Sequence, residues 1–207
     1  MTSPDEPQPT GADRVYRSGG AVAGGVLLLA LGVWLGGEAV LAGEGRTPWI
    51  ALAALLLVVP VVVAFTFRPA VFANDDRLRV RNPFRTVVLP WASVEGVSAG
   101  YSSEVLAGGR KYQLWAIPVS LRRRKQAARR QARDAASDVS GRTRAGTGAQ
   151  GPLRAPADQH VDDLREQAER CASLPGAQGE PVIRWAYEII APAAVGAILL
   201  AVLLATR

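Results

Sequence analysis

Three apolar stretches constrain this chain more than any other feature: residues 21–41, 48–67 and 187–205. Each is about as long as the roughly 20 residues a helix needs to cross a hydrocarbon core of about 30 Å. Between Arg68 and Arg184 the composition turns polar, so that region must fold in water. The expectation is a membrane protein with α-helical spans carrying one aqueous module. The first span reads as an uncleaved anchor, because it is longer than the usual 7–15 residue signal core and a second span follows almost at once.

Charge sets the expected orientation. Arg14 and Arg17 precede the first span, Arg68 follows the second and Arg184 precedes the third, whereas the short connection at 42–47 offers only Arg46 beside Glu44. By the positive-inside rule the N-terminus and the aqueous module are cytoplasmic, in a multi-pass protein of the cell membrane. Within the spans, Gly20, Gly24, Gly32 and Gly36 recur at multiples of four, as do Ala193, Ala197 and Ala201. Small residues at that spacing let helix backbones approach closely in lipid; the plainer reading is that Gly and Ala are common here. Pro60 and Pro192 are expected to kink their helices, by structural accommodation or along a transport path. Glu38 and Glu188 fall near opposite bilayer surfaces, each solvated at its own headgroup layer and unable to pair with the other.

After residue 69 the pattern changes to alternation, the mark of strands with one buried face. Residues 71–73 read as a strand and Asn74-Asp75-Asp76 as its turn. Leu78 and Val80 then face inward, while Arg77, Arg79 and Arg81 line the other side. Asn82-Pro83 turns the chain into a strand at 85–89, and a further strand is expected at 94–101. Gly108-Gly109 signals a hairpin leading into a strand at 111–119, which is apolar on both faces. Residues 161–174 have helical spacing, with Val161, Leu164, Ala168 and Cys171 on one side and Asp158 as the expected N-cap. Cys171 is expected to be a buried small apolar residue, and His160 a surface residue.

Antiparallel strands closed by one C-terminal helix describe a pleckstrin-homology (PH)-like roll, of α+β or mainly-β class. The run Asn74-Asp75-Asp76-Arg77-Leu78-Arg79-Val80-Arg81-Asn82-Pro83-Phe84-Arg85, with Leu89-Pro90-Trp91-Ala92-Ser93-Val94-Glu95-Gly96-Val97, resembles the core of small bacterial PH domains. These include the group named after low-molecular-weight protein antigen 6. The resemblance implies no catalytic residues. The expected organisation is a disordered tail (1–18), a transmembrane hairpin (19–67) and a PH-like β domain (68–121). A basic, largely disordered insert (122–157), the domain's C-terminal helix (158–174), a linker (175–184) and the third transmembrane helix (185–207) follow.

The chain carries a net charge of +6, concentrated in the insert, where Arg122, Arg123, Arg124 and Lys125 form its densest part. A solvated linker and a contact for anionic headgroups are the two readings of that cluster. A basic group near such a surface contributes roughly 1 kcal/mol. Arg77, Arg79, Arg81 and Arg85 make a second basic surface, suited to lipid, to a protein partner in the envelope, or to solvent alone. Nucleic acid is set aside, because no recognition motif accompanies the charge and aromatics are not interleaved with it. No phosphate-binding Gly loop, metal-ligand spacing or nucleophile motif occurs, and one cysteine and one histidine leave little for metal, disulfide or acid–base chemistry. The expectation is a non-enzymatic protein without cofactors, whose PH-like domain binds protein or anionic lipid. The rival is an accessory subunit of a transport or envelope-assembly complex, or a small transporter; a homo-oligomer fits either.

Overall fold

The computed structural model describes residues 13–117 and 156–206. Helices α1 (Gly19–Leu41) and α2 (Thr47–Thr66) form a hairpin, α3 (Pro156–Cys171) belongs to the aqueous module, and α4 (Tyr187–Ala205) follows it. The first, second and fourth are long and apolar enough to cross a membrane, and little of their surface is buried within the protein. Such helices close their backbone hydrogen bonds internally, the condition lipid imposes on any spanning segment. Ser18 caps α1 by accepting from the Ala21 N–H at 3.3 Å. Pro48 starts α2, where a missing N–H costs nothing.

α2 lies between α1 and α4 and packs against both. The contact faces differ from the expected glycine and alanine ladders. Of the four glycines in that ladder, only Gly36 meets a neighbour, the Leu55 side chain; Gly20, Gly24 and Gly32 have nothing within 4 Å of a notional Cβ. At about 100° per residue, a four-residue step drifts about 40°, so four such steps swing from one side of the helix to the other. The close approaches fall instead at Gly25, against Thr66 and Phe67, and at Gly196, against the Leu56–Leu57 backbone. Ala193 is half-buried beside Gly196, while Ala197 and Ala201 are exposed. Pro60, which cannot donate to the Leu56 carbonyl, lies one turn from the place where Gly196 presses in.

At the end of the bundle away from the aqueous module, Arg46 holds α4. Its guanidinium donates to Thr206 O at 2.7 Å, Leu203 O at 3.2 Å and Thr206 Oγ1 at 2.7 Å. The last carbonyls of a helix lack internal donors and carry partial negative charge, so a cation there satisfies both needs.

The module is built on two antiparallel sheets. The larger one runs β1-β2-β3-β4-β8 and comprises Arg14–Tyr16 (β1), Ala70–Ala73 (β2), Arg77–Arg81 (β3), Arg85–Pro90 (β4) and Val182–Trp185 (β8). The smaller runs β5 (Val94–Ala99), β6 (Ser103–Ala107) and β7 (Arg110–Gln113). Two of the larger sheet's strands differ from the sequence expectation, which has a disordered tail at 1–18 where β1 forms and a linker at 175–184 where β8 begins. Both are only three or four residues long, and each gains its hydrogen bonds from a neighbour already in place. The strand expected at 94–101 stops at Ala99. The one at 111–119 ends at Gln113, where the chain turns and Ile117 N–H bonds back to Leu114 O at 3.1 Å. That turn is why Leu114, Ala116 and Ile117 are all buried despite their mixed parity. Pro118, Val119 and the Arg122–Arg124 and Lys125 cluster lie outside the described residues.

Leu78, Val80, Val87 and Leu89 from the large sheet, Val97, Val105 and Tyr112 from the small one, and Val161, Leu164 and Cys171 from α3 share one core. Trp91, in the short 3-10 turn after β4, is fully buried, and its Nε1–H donates to Asn74 O at 2.6 Å. Gln167 of α3 donates to the same oxygen at 3.0 Å, tying helix to sheet. Asn74 also sets its own turn, its Oδ1 accepting from the N–H groups of Asp76 and Arg77. Asp158 lies inside the first turn of α3, which begins at Pro156, and therefore is not its cap. Its carboxylate still suits the positive end of the helix. His160 is half-buried, with its ring edge-on to Tyr16 at 4.9 Å.

Candidate functional site

The register of the large sheet places its charges. Arg81 lies opposite Ala70 and Thr86, and Thr86 opposite Arg184; Arg79 lies opposite Phe72 and Val88; Arg77 lies opposite Pro90. Cross-strand partners share a face, so Arg77, Arg79, Arg81 and Arg184 stand on the side away from the core. Their alternates Leu78 and Val80 are fully buried. From Arg77 to Arg81 the row spans about 13 Å at 3.3–3.4 Å per residue.

Helix ends add more charge. Arg17 precedes α1, Arg68 follows α2, and Glu188 stands in the first turn of α4. Together they enclose a cleft of about 810 Å³ lined by six arginines (17, 68, 77, 79, 81 and 184) against two carboxylates, Asp13 and Glu188. Phe72 and Trp185 give it aromatic surface.

Each carboxylate holds one arginine. Asp13 Oδ2 accepts from Arg79 at 3.1 Å, while its Oδ1 accepts from Asn74 Nδ2 at 3.0 Å. Arg79 also lies over the Phe72 ring at 4.6 Å, in cation–π geometry. Arg68 is the most buried of the pairs' side chains. It donates to Asn82 O at 3.2 Å, Thr86 Oγ1 at 3.3 Å and Glu188 Oε1 at 2.8 Å, joining the second helix, the sheet and the fourth helix. Burial lowers the pKa of Arg81 from its ordinary value, and Arg68, Arg79 and Arg17 lower it further, with Glu188 opposing them. The cleft is thus a place where positive charges crowd.

Of the sheet arginines expected to form one surface, three are brought together and Arg85 is not. The β3–β4 hairpin pairs Arg81 with Thr86, which gives Arg85 the parity of Val87 and Leu89, opposite Trp185. A one-residue offset in a strand reverses the face. Arg17, Arg68 and Arg184, whose sequence positions bear on orientation, also join the cleft. The signal was present: all three lie within two or three residues of a span end, and the chain meets the same end of the bundle three times. Among the described residues no three His, Cys, Asp or Glu side chains are grouped to hold a metal ion.

Compared with known protein families, residues 68–176 match the bacterial PH domain, and the chain belongs to that family. A domain of this kind is a protein- or lipid-interaction module. The match runs from the start of the β2 segment through α3, and leaves out β1, β8 and all three apolar helices. No curated protein and no solved structure matches the chain.

Proposed function

We propose that this protein is a non-enzymatic, multi-pass membrane protein that holds its PH domain against the cytoplasmic leaflet and binds an anionic partner in the arginine-lined cleft. The cleft itself carries the reading: six arginines line it, three of them at the helix ends beside the sheet and three rising along β3 away from those ends. Arg77, Arg79 and Arg81 are the proposed contact residues on the sheet, joined by Arg17, Arg68 and Arg184. The basic insert supports it too, since Trp115 before it meets Phe65 of α2, and His160 after it meets Tyr16 just ahead of α1. The proposed ligands are anionic lipid headgroups or an acidic protein partner in the envelope. Because the helices already fix the protein in the membrane, several kcal/mol of headgroup attraction would orient the domain rather than recruit it.

The test is retention of anionic phospholipid by full-length protein purified from membranes. The double variant Arg79→Glu/Arg81→Glu should lose most of it, and more at low salt than at high. Unchanged retention would remove lipid from the reading and leave an acidic protein, detectable by crosslinking in native membranes. One observation favours the second reading, an accessory subunit, small transporter or homo-oligomer: Gly20 and Gly24 form an exposed small-residue face on α1 with nothing within 4 Å.

A further inference from the structure

The cleft accounts for one face of the large sheet but not for the exposed aromatic side chains at the end of the small one. Tyr101, at the tip of the turn between β5 and β6, is 93% exposed. The turn is closed by Gly100 N–H donating to Ser102 O at 3.0 Å, and Ala99 pairs with Ser103 immediately behind it. Ser103 O in turn accepts from Leu114 N–H at 2.8 Å. The next residue, Trp115, sets its ring edge-on to Phe65 at 5.4 Å, and Phe65 is the last residue but one of α2. Phe65 also meets Phe84 of the β3–β4 turn at 5.4 Å. Four short steps therefore connect Tyr101 to the place where a spanning helix ends. The opposite pole holds the Gly108-Gly109 turn, bonded to Ser93, and Asn74 with its neighbours.

Trp115 is 45% exposed, and Trp185 and Tyr187, at the start of α4, are 54% and 69% exposed. Four aromatic side chains with polar tips thus line the helical end of the domain. No charged residue interrupts Gly100-Tyr101-Ser102-Ser103, and Ser102 Oγ donates to the nearby Glu104 carboxylate at 2.7 Å, which turns that charge away from being unpaired. Tyr101, exposed on an uncharged turn, has no hydrogen-bond partner among the described residues. Tyr and Trp combine an apolar ring with a polar tip, and so favour the headgroup layer.

We infer that the β5–β6 turn sits in the headgroup layer of the bilayer that the helices cross, with Tyr101 as its deepest residue and Trp115 beside it. The domain is then seated on the membrane along this rim and does not swing on its connections. This rests on the spanning arrangement proposed above, so the experiment must separate the two. Single cysteines replace Tyr101, Leu28 in the middle of α1, and Ser173 at the far pole, in full-length protein that retains buried Cys171. Each carries an environment-sensitive fluorophore and is reconstituted in vesicles of equal phosphatidylcholine and phosphatidylglycerol, doped with headgroup-labelled or mid-chain-labelled quenching lipid. The parent chain checks that Cys171 stays unlabelled. Headgroup quencher should reduce emission from position 101 at least twofold more than from position 173, and mid-chain quencher should act most strongly at position 28. Equal, weak quenching at 101 and 173 with strong quenching at 28 overturns the seating and leaves the spans in place. Absence of quenching at 28 overturns both.

Discussion

Arg68 shows how one side chain can carry three elements. Its side chain is only 9% exposed, and its partners at Asn82, Thr86 and Glu188 belong to different parts of the chain. Arg68→Gln should destabilise the protein by about 1.5–3 kcal/mol, the usual cost of losing charged hydrogen bonds at a buried site. Glu188→Gln should cost less than about 1 kcal/mol, since that carboxylate is 63% exposed and screened by solvent. Thermal melts of the two variants in one detergent compare them directly. Cys171 makes a pH prediction. Burial raises its thiol pKa, and the neighbouring Asp75 carboxylate, 3.9 Å from Sγ, raises it further. The folded state therefore keeps a proton that the unfolded chain releases near its ordinary value of about 8.5. The stability this contributes is complete below that value and is lost as the pH rises through the higher folded one. A Cys171→Ala variant should melt with a shallower decline between about pH 8 and 10 than the parent.

At the scale of elements, the long helices were legible because a span has no substitute for continuous apolar sequence. The alternating Leu78 and Val80 gave β3, and Asn74 and Gly108-Gly109 gave their turns, because both signals are local. The helix–helix contacts were not legible in the same way. A four-residue ladder drifts around the helix, so Gly20 and Gly24 point elsewhere while Gly25 and Gly196 meet neighbours. Gly196→Leu should therefore disrupt packing of α2 on α4, where a Cβ would lie 2.5 Å from Leu57 N and the backbone cannot yield. Overpacking of this kind costs about 1–3 kcal/mol. Gly24→Leu should leave the melting temperature almost unchanged. Equal effects would refute the assigned interface. The cleft was half legible: alternation exposed Arg77, Arg79 and Arg81, but only the assembled topology adds Arg17, Arg68 and Arg184. Arg85 was misplaced because the length of a turn, not the strand's own pattern, decides its parity.

The whole molecule is bound together at both ends of its bundle, by Arg46 on α4 at one and by Arg68 with the sheet at the other. Its large sheet is also completed from outside the region shared with the family. β1 arrives just before the first span and β8 just before the last, and they flank the β2-β3-β4 centre. A fragment limited to residues 68–176 should accordingly scatter light and sediment as aggregate, whereas the full chain stays dispersed in detergent. Dispersed fragment would show that three central strands suffice. Nature has here stitched an aqueous domain with thread drawn from both sides of its anchor. Scissors applied at the homology border leave two raw hems of main-chain amides and carbonyls, and frayed cloth of that sort catches on its own copies.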